Sequence, residues 1–304
     1  MGLARSSPDS SEVVSKGRQD TDSFGVLRPI HTDIENCAPT TDGVRGEACM
    51  GHVLKCGKLH FWSVSLDYLF MPKEQSFTHV VTVNAEIFAL AHEDRRLAGI
   101  LSETVNTIDG RVLQGFCKLL YPKHRIDRLN GSNFVIDLAE HCRKHSERLF
   151  LLGSSAEANS LATHRLRSAF PGLQVSGFSP PMQSYPFAQD WNDLILDQIA
   201  HFAPQHLVVC FGPQKQEYWI HENSFHLAAL SLRCAYGLGG TIDFLSGIKP
   251  RAPKWIEFIG AEWLFRLACE PRARFRRTLI MFKMPFYALR TARQIRELNK
   301  YSEE

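Results

Sequence analysis

Short apolar runs, separated by amphipathic stretches of helical length, govern what this chain can become. Thr78-His-Val-Val-Thr-Val83, Val105-Asn-Thr-Ile108, Leu149-Phe-Leu-Leu152, Leu173-Gln-Val-Ser-Gly177, His206-Leu-Val-Val-Cys-Phe211 and a run near 232–236 read as strands. Between them the pattern predicts helices over about 86–98, 111–120, 132–146, 155–169, 190–202 and 214–228. Such alternation predicts an α/β fold: a largely parallel sheet with helices on both faces. Parallel strands all end at one edge, and ligands bind beyond their carboxyl ends. Asp109-Gly110, Gly153-Ser-Ser155, Gly212-Pro213 and Gly237–Gly240 each fall just past a predicted strand, so a site is expected there.

The pattern divides the chain of 304 residues into three parts. Residues 1–52 are rich in Ser, Asp, Thr, Gly and Pro and read as a disordered or variable tail. Residues 53–265 form the α/β domain, and 266–304 a basic C-terminal helical appendage. The net charge of +3 is unevenly spread: Arg266 to Lys300 holds ten Lys/Arg against two Glu, a block that seeks polyanions. From Leu279 to Tyr301, apolar and basic residues mix as in an amphipathic element lying on an anionic membrane, with a kink expected at Pro285.

Eight cysteines show no Cys-x-x-Cys pair and no zinc spacing, which suits free thiols in a reducing compartment. Neither a signal peptide nor a transmembrane run is read, so a cytoplasmic location is expected. Asp20-Thr-Asp22 has the Asp-x-Asp form of a metal-nucleotide motif, but it lies in the polar tail. No metal is expected.

Several residues could carry chemistry. Asp109 sits at the mouth of the sheet as a candidate general base, with a helix N-cap as the competing role. Thr82 and Asn84 lie one strand period apart and suit sugar hydroxyls or turn chemistry. Arg128 stands before a helix start, a place for an anion. Gln216 offers a donor and an acceptor at the start of the helix after the most apolar strand. Gly237, Gly239 and Gly240 permit close contact with a ligand and precede Asp243, though they do not follow the Gly-x-Gly-x-x-Gly spacing of dinucleotide-binding enzymes. Arg251, Arg266, Arg272, Arg274, Arg276 and Arg277 are candidates to hold a diphosphate.

In order and spacing these motifs resemble the WecG/TagA/CpsF glycosyltransferases (glycosyltransferase family 26). The resemblance runs from about Leu59 to Arg277. It includes Thr82-Val-Asn84, Asp109-Gly110, Arg128 with Gly131, Phe150-Leu-Leu-Gly153, Phe170-Pro-Gly172 and Gly212 with Lys215-Gln-Glu217. It continues through Gly239-Gly-x-x-Asp-Phe244, Gly247, Arg251-Ala-Pro253, Trp255, Glu262-Trp263, Arg266, Glu270-Pro271 and Arg276-Arg277. The resemblance implies a Rossmann-like, metal-free, inverting enzyme that moves a sugar from a UDP-sugar to a polyprenyl-diphosphate-linked glycan. It would work at the inner face of the cytoplasmic membrane, in surface-polysaccharide synthesis. Asp109 would be the base, Thr82, Asn84 and Gln216 would line the pocket, and Arg128 and the appendage arginines would hold phosphate and the membrane.

Three positions depart from the family's pattern. Gln214 stands where Pro is usual, Asn133 where Asp is common, and Ala273 where Arg is frequent. These departures leave open a non-catalytic, membrane-associated subunit of a polysaccharide assembly complex. Nucleic-acid binding is not expected, because the basic tail carries no motif of such modules. Homo-oligomerisation is left open.

Overall fold

The computed structural model describes residues 50–290, apart from 57–58, 71–76, 125, 231 and 288. The tail therefore lies outside the described residues up to 49, and strand β1 (Met50–Cys56) begins inside the segment expected to be tail. It pairs antiparallel with β2 (Leu59–Val64), a hairpin that the alternation alone did not mark. The main sheet takes β3 (Thr78–Val83), β4 (Val105–Ile108), β5 (Arg148–Gly153), β6 (Gln174–Phe178), β7 (His206–Cys210) and β8 (Cys234–Gly237). Its order is β4-β3-β8-β7-β5-β6, and every pairing is parallel. The expected α/β architecture is thus present, with no antiparallel strand in the main sheet among the described residues.

Helices α1 (Leu66–Phe70), α2 (Ala85–Glu93), α3 (Arg95–Ser102), α4 (Arg111–Leu120), α5 (Gly131–His145), α6 (Ala156–Ala169) and α7 (Gln189–Phe202) connect the strands up to β7. α8 (Lys215–Glu222), α9 (Ser224–Ala229), α10 (Thr241–Ser246), α11 (Lys254–Phe258), α12 (Glu262–Cys269) and α13 (Pro271–Phe282) complete the described elements. Two expected helices are each divided. Over 86–98 the break falls at Asp94, whose carboxylate accepts from the N–H groups of Arg96 (2.9 Å) and Leu97 (3.2 Å) and so starts a new helix. Over 214–228 it falls at Asn223, whose side chain donates back to Trp219 O and accepts from Asn192.

Period-two alternation along the strands builds the two faces. Leu149, Leu151, Val208, Cys210 and Tyr236 pack under α5, α6 and α10. Phe150, Leu152, Leu207, Val209 and Ala235 pack under α7 and α8 on the other side. A third cluster joins Val81 and Val83 to α2, α3, α4 and the hairpin. Met284 is buried in that third cluster, so the appendage is built into the core of the main domain. The division expected at 265/266 falls inside α12, because the helix begun at Glu262 runs unbroken to Cys269. After α13 the helix breaks at Lys283 and resumes at 284, with Pro285 in the new first turn. Residues 291–304 of the expected amphipathic element lie outside the described residues.

The amino ends of the middle strands are tied by one buried polar cluster. Glu147, just before β5, accepts from His206 at the start of β7 (2.7 Å) and also meets His141 (3.3 Å) and Arg233. The hydroxyl of Tyr236 lies 3.0 Å from His206 Nδ1. Burial works to raise the Glu147 pKa, but hydrogen bonds from His141 and His206 and the charge of Arg233 outweigh it and hold the carboxyl below its usual range. Its contribution to stability is complete above the ordinary carboxylate pKa of about 4.3 and fades as pH falls through the lower folded value. Glu147→Gln should therefore lower the unfolding free energy at pH 7 by about 2 kcal/mol. Urea melts should show the gap to wild type still open at pH 5 and closing only in stronger acid; a gap constant down to pH 2 would refute the account.

Candidate active site

All six strands of the main sheet deliver a loop to one cleft of about 620 Å³. Thr82 and Asn84 come from the end of β3 and Asp109 from the end of β4. Gly153–Ser155 follow β5, Ser179–Gln183 follow β6, Phe211–Pro213 follow β7 and Leu238–Thr241 follow β8. The appendage adds Arg266, Arg274 and Arg277. A smaller recess of about 120 Å³ opens between α4 and the appendage, and Asp109 borders both spaces.

Asp109 is not a helix cap. Gly110 holds the N-cap position of α4 at φ 81°, and no side chain caps that helix. The Asp109 N–H donates to Val83 O (2.8 Å), which fixes the backbone and leaves the carboxyl to the cleft. Burial, then the nearby Glu262, push its pKa up to about 6, while Arg266, Arg128 and the Gly110 N–H pull it down. A carboxylate in this state is a stronger base than an exposed one and is still mostly ionised at neutral pH.

The other expected residues divide into those the cleft gathers and those it does not. Thr82 lines the cleft, but its hydroxyl donates to Gly237 O (3.2 Å) and fastens β3 to β8. Asn84 caps α2 through its carbonyl oxygen, which accepts from Ile87 N–H (3.0 Å). Gln216 Oε1 accepts from the Gly239 N–H (3.0 Å), so the glutamine holds the glycine turn. Gly239 and Gly240 form the floor beside it. Asp243 accepts from Ser154 Oγ and is paired with Lys249 (2.6 Å). Arg266 is bound to Glu262 and lies 4.6 Å over the Phe244 ring.

Arg128, Arg251 and Arg276 do not line the cleft. Arg128 stands near enough for its charge to act on Asp109. Arg251 is exposed and donates to Asn133 Oδ1 (3.2 Å), so the asparagine at that departure from the family pattern has become its acceptor. Arg276 is exposed because of the phase of α13: at 100° per residue, Arg274, Arg277, Thr278 and Met281 share the inward stripe, and Arg276 points away from it. Gln214 has φ 67°, which a proline ring locked near −65° cannot adopt, and its amide donates to Asp94 Oδ2 (3.1 Å).

Sequence reasoning missed the acidic partners of these arginines. Glu86 lies 3.7 Å from Arg277 and Glu270 lies 3.2 Å from Arg274. Lys249 bridges Asp243 in the cleft and Glu270 in the appendage, the latter at 3.1 Å. Burial raises the Glu86 pKa against the pull of Arg277 and Arg274. For Glu270 the available signal was its spacing of four residues from Arg274; for Glu86 it was position alone, in the first turn of the helix after Asn84. Among the described residues, one group has metal-ligand spacing, His141, Glu147 and His206, and it occupies the opposite edge of the sheet with Arg233 already against its carboxylate.

Known proteins are similar to this chain in sequence. A protein of Bacillus subtilis (strain 168), named N-acetylglucosaminyldiphosphoundecaprenol N-acetyl-beta-D-mannosaminyltransferase, is 29% identical over 221 residues, 73% of this chain and 80% of that protein. A protein of the same name from Bacillus spizizenii is 28% identical over 200 residues, 66% of this chain and 74% of that protein. The Glycosyl transferase WecG/TagA/CpsF family matches residues 63–301, nearly all of the described chain and the whole of the cleft. On that match, the chain belongs to the WecG/TagA/CpsF family of glycosyltransferases.

Proposed function

We propose that the cleft binds a UDP-sugar and that Asp109 is the general base for inverting transfer of the sugar to a polyprenyl-diphosphate-linked acceptor. The observation that carries this reading is the place of Asp109, at the join between the large cleft and the recess beside the appendage. Donor in the first space and acceptor in the second would meet at its carboxyl. The acceptor hydroxyl gives its proton to Asp109 as its oxygen bonds to the anomeric carbon. The bond from that carbon to the phosphate oxygen breaks, and its electron pair leaves with UDP. Arg266, Arg274 and Arg277 supply the positive charge that stabilises the leaving diphosphate, so the reading uses no metal. Arg128 lowers the cost of charge on Asp109.

The relatives' names suggest an N-acetylhexosamine as the sugar and an N-acetylglucosaminyl-diphosphoundecaprenol as the acceptor. The product would feed a surface polysaccharide. Asp109→Asn should lower kcat by about a thousandfold and leave UDP affinity by calorimetry within twofold. For the wild-type enzyme, kcat/KM should climb as pH rises through about 6, because the base must be ionised, and level off above. Full transfer by the asparagine variant would remove Asp109 from the mechanism.

The same reading puts the enzyme on the cytoplasmic face of an anionic membrane. No described helix is long and apolar enough to cross a membrane. Next to the inward stripe of α13, Phe275, Leu279 and Phe282 form an exposed apolar stripe, with Arg272 and Arg276 beyond it. Trp255, Phe258 and Ile259 of the neighbouring segment are exposed as well. An apolar stripe edged by arginines suits the boundary between headgroups and acyl chains. Inserting a phenylalanine contributes about 1.5–3 kcal/mol. Phe275→Ser with Phe282→Ser should therefore cut sedimentation with phosphatidylglycerol vesicles at least tenfold, and unchanged sedimentation would rule out docking by this stripe.

A further inference from the structure

Glu217 is a carboxylic acid at 0% exposure, one residue beyond a cleft residue, and the proposed chemistry gives it no task. Its Oε1 accepts from Gln216 Nε2 (2.7 Å), while Oε2 meets no hydrogen-bond partner. Gln216, 1% exposed, then accepts at Oε1 from the Gly239 N–H. The backbone N–H can only donate, so the amide must present its oxygen to Gly239 and its nitrogen to Glu217. Neither end of Gln216 is free to turn. Gly237 completes the arrangement: a Cβ there would lie 3.2 Å from both Gln216 Nε2 and Glu217 Oε1, so a side chain at that position would press on the pair. A buried carboxyl with an unmet oxygen is costly, and a hydrophobic residue would fill the same space more cheaply. The cost has a return if the carboxyl aims the amide.

We propose that Glu217 is a positioning residue: through Gln216 it fixes the Gly237–Gly240 turn in the shape that receives the nucleotide. This rests on the reading that the cleft binds UDP. Burial raises the Glu217 carboxyl to about 7. Protonated or ionised, it retains a lone pair at Oε1 for the Gln216 amide, so the relay holds across neutral pH. Its loss should act on binding of the donor rather than on the chemical step, because the relay touches neither Asp109 nor the arginines.

The test uses the full chain. UDP affinity is measured by calorimetry, and KM and kcat with the UDP-sugar, for wild type, Glu217→Gln and Glu217→Met. Glu217→Met should raise Kd for UDP and KM about tenfold with kcat within threefold, while Glu217→Gln, which still offers an acceptor, should stay within threefold of wild type in all. On a Gln216→Ala background, Glu217→Met should add less than twofold. If Glu217→Met does not yield folded protein, Glu217→Asp takes its place, since the shorter side chain withdraws the acceptor. Wild-type affinity in Glu217→Met, equal damage in Glu217→Gln, or an undiminished effect without Gln216 would each overturn the relay. Failure of the wild-type protein itself to bind UDP would instead overturn the nucleotide reading, and the relay's purpose with it.

Discussion

A strand cannot lie parallel to its neighbour unless the chain first travels back across the sheet, and the site depends on that constraint. Six parallel strands require crossovers, so six carboxyl ends and their loops converge on one edge. Apart from the edge strand β6, which is only partly buried, each loop leaves a strand that is largely buried, which gives the loop a rigid base. The site residues then need little further support. Thr82 joins β3 to β8, Asp109 is held to β3 through its own N–H, and Gln216 holds the turn after β8. The opposite edge is fastened by Glu147 and its partners, so the sheet is closed by polar contacts at both ends of its strands.

Much of this was legible in the sequence, for a physical reason. A strand buried on both faces must be apolar throughout, and β5 and β7 announce themselves that way. Helix breaks were not legible at Asp94 or Asn223, because the apolar period continues across each while a side chain caps or turns the backbone locally. Asp109 was legible by its place at a strand end, but its competing role as a cap was not decidable. The conformation of Gly110 decides it, by taking the N-cap position itself. Among the arginines of α13, only the helical phase separates Arg274 and Arg277 from Arg276, and that phase follows from the helix starting at Pro271. Glu270 stands four residues before Arg274, a pairing that helical spacing allows, whereas Glu86 could not be found, since its partner Arg277 lies far away along the chain.

Those glutamates explain how three guanidinium groups can share one cleft. Arg274 has its pKa lowered, first by burial and then by the charges of Arg266 and Arg277. Left alone, the three would repel one another. Each instead has a carboxylate: Glu262 for Arg266, Glu270 for Arg274 and Glu86 for Arg277. Such pairs are a compromise. They neutralise the arginines, and they are weak where water reaches them. On the proposed reading, a diphosphate would compete for the same guanidinium faces with more oxygens and more charge.

After burial, which does most to raise it, the same crowding tunes the basicity of Asp109. Glu262 raises its pKa and Arg266 lowers it, and those two groups are bonded to each other. Whatever draws Arg266 away from Glu262 alters both influences at once. On the proposed reading, a phosphate that took up the guanidinium would remove part of the pull that lowers the pKa, leave Glu262 uncompensated, and make Asp109 a stronger base. Proton removal and departure of the diphosphate would then be coupled through one ion pair, with no movement of the sheet required. The coupling asks only that the appendage stay packed where Met284 and Lys249 hold it, against the core on one side and the cleft on the other.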